Sequence, residues 1–85
     1  MNNSIKELEE IPGVGPKLSK EFLDIGIKKI KDFSKQNPEK LYLQICAKQG
    51  MQVDRCVLYV CRLCVYFAEN KIHDSEKLKW WNWKN

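Results

Sequence analysis

Two stretches of this chain could carry chemistry. The first is Ile11-Pro12-Gly13-Val14-Gly15-Pro16-Lys17, with Lys20 one turn further on. Two glycines one residue apart allow a tight turn. Pro16 suits the first position of a helix, because the N–H it lacks would have no partner there. The backbone amides at such a helix start are free, and the positive end of the helix dipole lies behind them. That combination binds phosphate oxygens. Gly13, Val14 and Gly15 are expected to offer amides, and Lys17 and Lys20 to supply charge. The second stretch is the tail, Lys77-Leu78-Lys79-Trp80-Trp81-Asn82-Trp83-Lys84. Mixed aromatics and cations can stack bases and neutralise backbone charge. Three tryptophans in a small chain are read first as packing on the domain or on a second copy, since each buries a large area.

The cysteines invite a metal or redox reading that the spacing does not support. Cys61-x-x-Cys64 would place two thiols on one helix face, but a structural zinc takes four ligands. Cys56 points about 140° away from Cys61 on the same helix. Cys46 is on another helix, and His73 is the only histidine. The expected role of the thiols is that of small buried apolar side chains. No serine or cysteine has an assignable base partner. The acidic pairs Glu9/Glu10 and Glu69/Asp74 follow no acid–base pattern. The chain is therefore read as having no catalytic residues, no metal site and no enzymatic activity.

The elements that position these residues follow from caps and periodicity. Ser4-Ile5-Lys6-Glu7 has the spacing of a capping box, so helix 1 is expected to start at Ser4 and to present Ile5, Leu8 and Ile11. Helix 2 is expected over Pro16 to about Leu23, with Leu18, Phe22 and Ile25 inward and Gly26 ending it. Ile27, Ile30 and Phe33 predict a short third helix with Lys28, Lys29, Lys31 and Lys35 in water. Asn37-Pro38 caps a fourth, carrying Leu41, Tyr42 and Ile45 and closed by Gly50. Asp54 caps a long fifth helix ending near Asn70. Its core face is expected to be Val57, Val60, Cys61, Cys64, Val65 and Ala68. Arg55, Tyr59, Arg62 and Tyr66 share the opposite face. They form either a binding strip or a solvated edge whose stems cover neighbouring helices. One further turn is expected from Ser75.

Length and composition bound the rest. Eighty-five residues make one domain with a modest core. The apolar fraction of 44% is that of a globular protein, and the net charge of +4 permits an acidic partner without requiring one. Met1 to Glu10 is polar, so no signal peptide is read. The longest apolar run, Val57 to Ala68, is too short for a bilayer and contains Arg62. A cytoplasmic location with reduced thiols is the expectation.

Leu8 to Ser19 resembles the helix-hairpin-helix motif. Leu8, Ile11, Pro12, Gly13, Val14 and Gly15 match its pattern, and Ser19 stands where that superfamily usually has Ala. The resemblance implies that the hairpin amides hold one DNA phosphate without reading sequence. It also allows a monovalent cation, when DNA is bound, between that phosphate and carbonyls that fall by position on Glu9, Ile11 and Val14. Gly50-Met51-Gln52-Val53-Asp54 joins two helices where a second, degenerate hairpin can lie. The implied fold is all-α: a single five-helix domain over residues 1–85, like a tandem helix-hairpin-helix (SAM-like) unit. Over nearly the whole chain, Leu41-Tyr42, Asp54 to Val60, Arg62, Val65 to Ala68 and Trp80 to Lys84 resemble a small bacterial family. It carries the pathogenicity-locus label and is also described by mitomycin resistance. The expected function is a DNA-binding accessory domain acting on duplex or branched DNA through backbone contacts. The alternative is a protein–protein interaction or homodimerisation module.

Overall fold

The computed structural model describes residues 3–84 and, for Asn3 and Ser4, the backbone alone. Four α-helices follow in order: α1 (Asn3–Leu8), α2 (Pro16–Asp24), α3 (Pro38–Gln49) and α4 (Cys56–Glu69). Single 3-10 turns occupy Ile30–Phe33, Ser75–Leu78 and Trp80–Trp83, and no strand occurs among the described residues. The chain is all-α. No helix among those residues is long and apolar enough to cross a membrane.

Local chemistry sets most boundaries. Pro16 opens α2. Asn37 Oδ1 accepts from the Glu39 and Lys40 amides and caps α3, and Asp54 Oδ1 accepts from the Cys56 amide at the start of α4. A side-chain acceptor at a helix start satisfies donors that the helix itself leaves unpaired. The helices α2 and α3 are each followed by a left-handed glycine, Gly26 and Gly50. The cap expected at Ser4 lies outside the described side chains.

The expected third helix is not an α-helix. It is the single 3-10 turn Ile30–Phe33, with side chains accepting from backbone amides on both sides of it. Asp32 Oδ2 accepts from the Lys28 and Lys29 amides. Glu7 of α1 accepts from the Ile30 amide at 2.7 Å, and Glu69 of α4 accepts from the Lys35 amide at 2.6 Å. The two glutamates thereby tie this connection to α1 and to α4. Ile27 and Phe33 still enter the core, with Phe33 edge-on to Phe22 at 4.9 Å.

The helix α4 is the hub, packed against α3, the Ile30–Phe33 turn and both tail turns. Its burial is wider than the expected face. Leu58, Val60, Cys61, Leu63 and Cys64 are buried, whereas Val57, Val65 and Ala68 are only half-buried. Leu58 and Leu63 were not on that face. They are inside because neighbours surround the helix on more than one side. Leu8, Ile11, Val14, Phe22, Leu41 and Ile45 complete the core around it.

Candidate functional site

The turn between α1 and α2 is built by apolar anchors and short hydrogen bonds. Leu8, Ile11 and Val14 are buried and pin its two limbs. The Ile11 amide donates to the Leu8 carbonyl and the Val14 amide to the Ile11 carbonyl, both at 3.1 Å. The Ser19 amide donates to the Gly15 carbonyl at 2.9 Å. These bonds sort the amides expected to be free. Val14's is committed inside the turn. Those of Gly13, Gly15, Lys17 and Leu18 have no acceptor among the described residues. Leu18 was not singled out from the sequence. Its amide is free because it falls in the first turn of α2, where no carbonyl lies behind it.

The two glycines stand there for different reasons. Gly13 has φ +91°, and a Cβ on it would lie 3.3 Å from Cδ1 of Trp80. Both the backbone angle and the neighbour require glycine at that position. Gly15 has φ −102° and ψ −176°, ordinary extended backbone, and a Cβ there would meet nothing within 4 Å. Neither strain nor packing inside the protein accounts for it. As N-cap residue of α2 it supplies no side-chain acceptor, so the helix start stays bare. Lys17 and Lys20 are exposed on the first turn, with Glu21 half-buried beside them.

The Gly15 end of α2 also forms one rim of an open groove of about 520 Å³. Lys17, Leu18 and Glu21 lie on this side, and Met51, Gln52, Val53 and Val57 on the other. The opposite rim is the α3–α4 connection, which is closed on itself. The Tyr42 hydroxyl donates to the Val53 carbonyl and the Val53 amide donates to Cys46 Sγ. The Asp54 carboxylate covers the Cys56 amide at the start of α4. Hydrogen bonds from the Cys56 amide and then from its thiol hold that carboxyl below its usual range.

The Arg55/Tyr59/Arg62/Tyr66 face is neither a bare edge nor an open strip from Arg62 onward, because the tail sits on it. Arg62 Nη1 donates to the Trp83 carbonyl at 2.6 Å. The Tyr66 hydroxyl accepts from the Asp74 amide at 2.8 Å, and its ring lies 5.6 Å from that of Trp83. Trp83 Nε1 donates to the Lys77 carbonyl and Asn82 Nδ2 to the Glu76 carbonyl, each at 2.7 Å. His73 stacks on Phe67 at 4.1 Å. Its Nε2 lies 3.0 Å from the Phe67 carbonyl, and since a carbonyl only accepts, that nitrogen carries the proton.

Trp80 and Trp83 pack on the core, whereas Trp81 is 50% exposed. Cys61 and Cys64 are buried. Desolvation pushes the Cys61 thiol up to about 12 and Cys64 well above its ordinary value, so neither is a thiolate at neutral pH. No group of three or more His, Cys, Asp or Glu that could hold a metal ion occurs among the described residues.

Compared with known proteins, a model of the pathogenicity-locus family (Cdd1) matches residues 1–85. The chain belongs to that family. No curated protein and no solved structure matches it.

Proposed function

We propose that this member of the pathogenicity-locus family is a small, non-catalytic DNA-binding accessory domain that holds a backbone phosphate at the α1–α2 turn. The observation that carries the reading is Gly15. The free protein gives no reason for a glycine there, while a phosphate approaching the amides of Gly15, Lys17 and Leu18 does, because a Cβ would enter its space. Gly13 lets the chain make the turn. Lys17 and Lys20 add charge that is not tied down by an acidic partner among the described residues.

In this reading the turn is a helix-hairpin-helix motif, and α3–α4 is its degenerate tandem copy, whose capping carboxylate repels an anion. The same reading has a monovalent cation beside the bound phosphate, held by carbonyls of the turn. The Glu9 and Val14 carbonyls accept nothing among the described residues, and Ile11 keeps a lone pair beyond the one used by Val14. Contacts of this kind recognise phosphate and not sequence. A role on DNA suits the mitomycin-resistance description, since mitomycin crosslinks DNA.

A second reading, an interaction module, draws on the groove between α2 and the α3–α4 connection, where Leu18, Val53 and Val57 are flanked by the 65% exposed Met51. Salt separates the two. Titration of a labelled duplex should show affinity falling steeply between low and moderate salt, with a log–log slope near −0.9 per phosphate contact. Lys17→Ala with Lys20→Ala should flatten that slope by up to about one unit per lysine. No duplex binding at low salt would refute the DNA reading and leave the interaction module.

A further inference from the structure

We infer that Trp81 is a stacking platform for an unpaired base, so that the ligand is DNA with a single-stranded stretch next to the phosphate held at the α1–α2 turn. The inference rests on the phosphate reading above and adds the class of DNA to it.

The fold treats its three tryptophans differently. Trp83 is used fully: its ring packs on the core and against Tyr66, its indole N–H donates to the Lys77 carbonyl, and its own carbonyl accepts from Arg62. Trp80 also packs on the core, and it closes over Gly13. Trp81 does neither. Half its surface is open, its indole N–H has no acceptor among the described residues, and its ring meets Trp80 edge to face at 5.7 Å and 86°.

The backbone that carries Trp81 is nevertheless fixed. The turn Trp80–Trp83 is held by the Arg62 to Trp83 bond, the Asn82 to Glu76 bond and the Trp83 to Lys77 bond. An aromatic ring on a turn held in place keeps half its area open to a partner and loses little entropy on binding a flat one.

Its place makes a base the fitting partner. Trp81 touches Trp80, and Trp80 touches Gly13, so the open indole stands one ring away from the phosphate-binding turn. Lys84 is exposed beside it, and Lys79 is exposed but pairs with Glu76 at 3.2 Å. A base in an intact duplex has both faces covered by its neighbours. An unpaired base has a free face, and stacking on an aromatic side chain tolerates any base.

The test compares a blunt duplex with the same duplex carrying a short oligo-dT overhang, both labelled, at low salt. The native chain should bind the overhang form about 5- to 100-fold more tightly, the range expected for stacking one base. Trp81→Ala should erase that difference and leave blunt-duplex affinity unchanged, with the melting temperature lowered by a few degrees through the lost edge-to-face contact with Trp80. Trp81→Phe should keep part of the difference, while the quenching of tryptophan emission by the overhang form shrinks.

Equal binding of both DNAs by the native chain overturns the inference and leaves the phosphate reading standing. An unaffected preference in Trp81→Ala does the same. Binding of neither DNA sinks both. A native chain that sediments as a dimer and a Trp81→Ala variant that sediments as a monomer would assign the open indole to self-association instead.

Discussion

Gly15→Asp should stabilise the protein and weaken the proposed DNA binding, and that opposition of signs makes it the most informative single change. A Cβ at Gly15 meets nothing within 4 Å, and the backbone there is extended with φ −102°, so the new side chain fits without strain. It enters the N-cap position of α2, which now has no side-chain acceptor. Asp exceeds Gly at an N-cap by a few tenths of a kcal/mol, and a negative charge at a helix start adds about 0.3–1 kcal/mol. The sum, about 0.5–1 kcal/mol, corresponds to a rise in melting temperature of roughly 2–8 °C for a domain of this size.

The same carboxylate accepts from the amides proposed for the phosphate and repels a second anion. One charge-assisted hydrogen bond is worth about 1.5–3 kcal/mol, so duplex affinity should fall at least about tenfold at low salt. Gly15→Asn separates the two causes: it caps as well as Asp but carries no charge, and should bind with intermediate affinity. The assays are thermal unfolding followed by circular dichroism and anisotropy of a labelled duplex on the same preparations. A folded Gly15→Asp protein that binds DNA as well as the parent would refute the phosphate site. A melting temperature lowered by several degrees would refute the bare, unstrained helix start.

Gly13→Ala should behave in the opposite way, losing about 1–3 kcal/mol from a positive φ and from the 3.3 Å approach to Trp80, seen as a lower melting temperature. Ser19→Ala should raise stability by about 1–2 kcal/mol, because the buried Ser19 hydroxyl has no hydrogen-bond partner among the described residues; an unchanged or lower melting temperature would mean that the hydroxyl is satisfied. Truncation after Leu78 removes the half-buried Trp80 and Trp83 and strips Arg62 of its acceptor, for a loss of about 2–4 kcal/mol read by circular dichroism, while the tryptophan emission of the full chain should be blue-shifted and move red on unfolding. In a thiol titration at pH 8 the half-buried Cys46 and Cys56 should react first, and Cys61 and Cys64 only on unfolding. Because the fold raises the Cys61 pKa from the ordinary value near 8.5 to about 12, its contribution to stability should be complete below about pH 8.5 and decline as pH rises toward 12.

Features that depend on residues close together in the chain were legible before any fold was known. Pro16, Asn37, Asp54, Gly26 and Gly50 mark helix ends because a cap or a left-handed glycine acts within a few residues. The buried Leu41, Tyr42 and Ile45 follow from helical periodicity alone. Features that depend on chain segments meeting from afar needed the fold. Glu7 and Glu69 accept from amides 23 and 34 positions away and tie the Ile30–Phe33 turn and its exit to α1 and α4. Leu58 and Leu63 are buried because the tail and the Ile30–Phe33 turn cover sides of α4 that a single-stripe pattern leaves in water. The Arg62 and Tyr66 face looked open in sequence and is the seat of the tail, since a hydrogen bond to a backbone carbonyl 21 residues away leaves no periodic trace. At the turn itself, the residue types announced free amides. Which amides are free, why Gly13 is glycine and which tryptophan stays in water were settled by the placement of Ile11 and Trp80 around it.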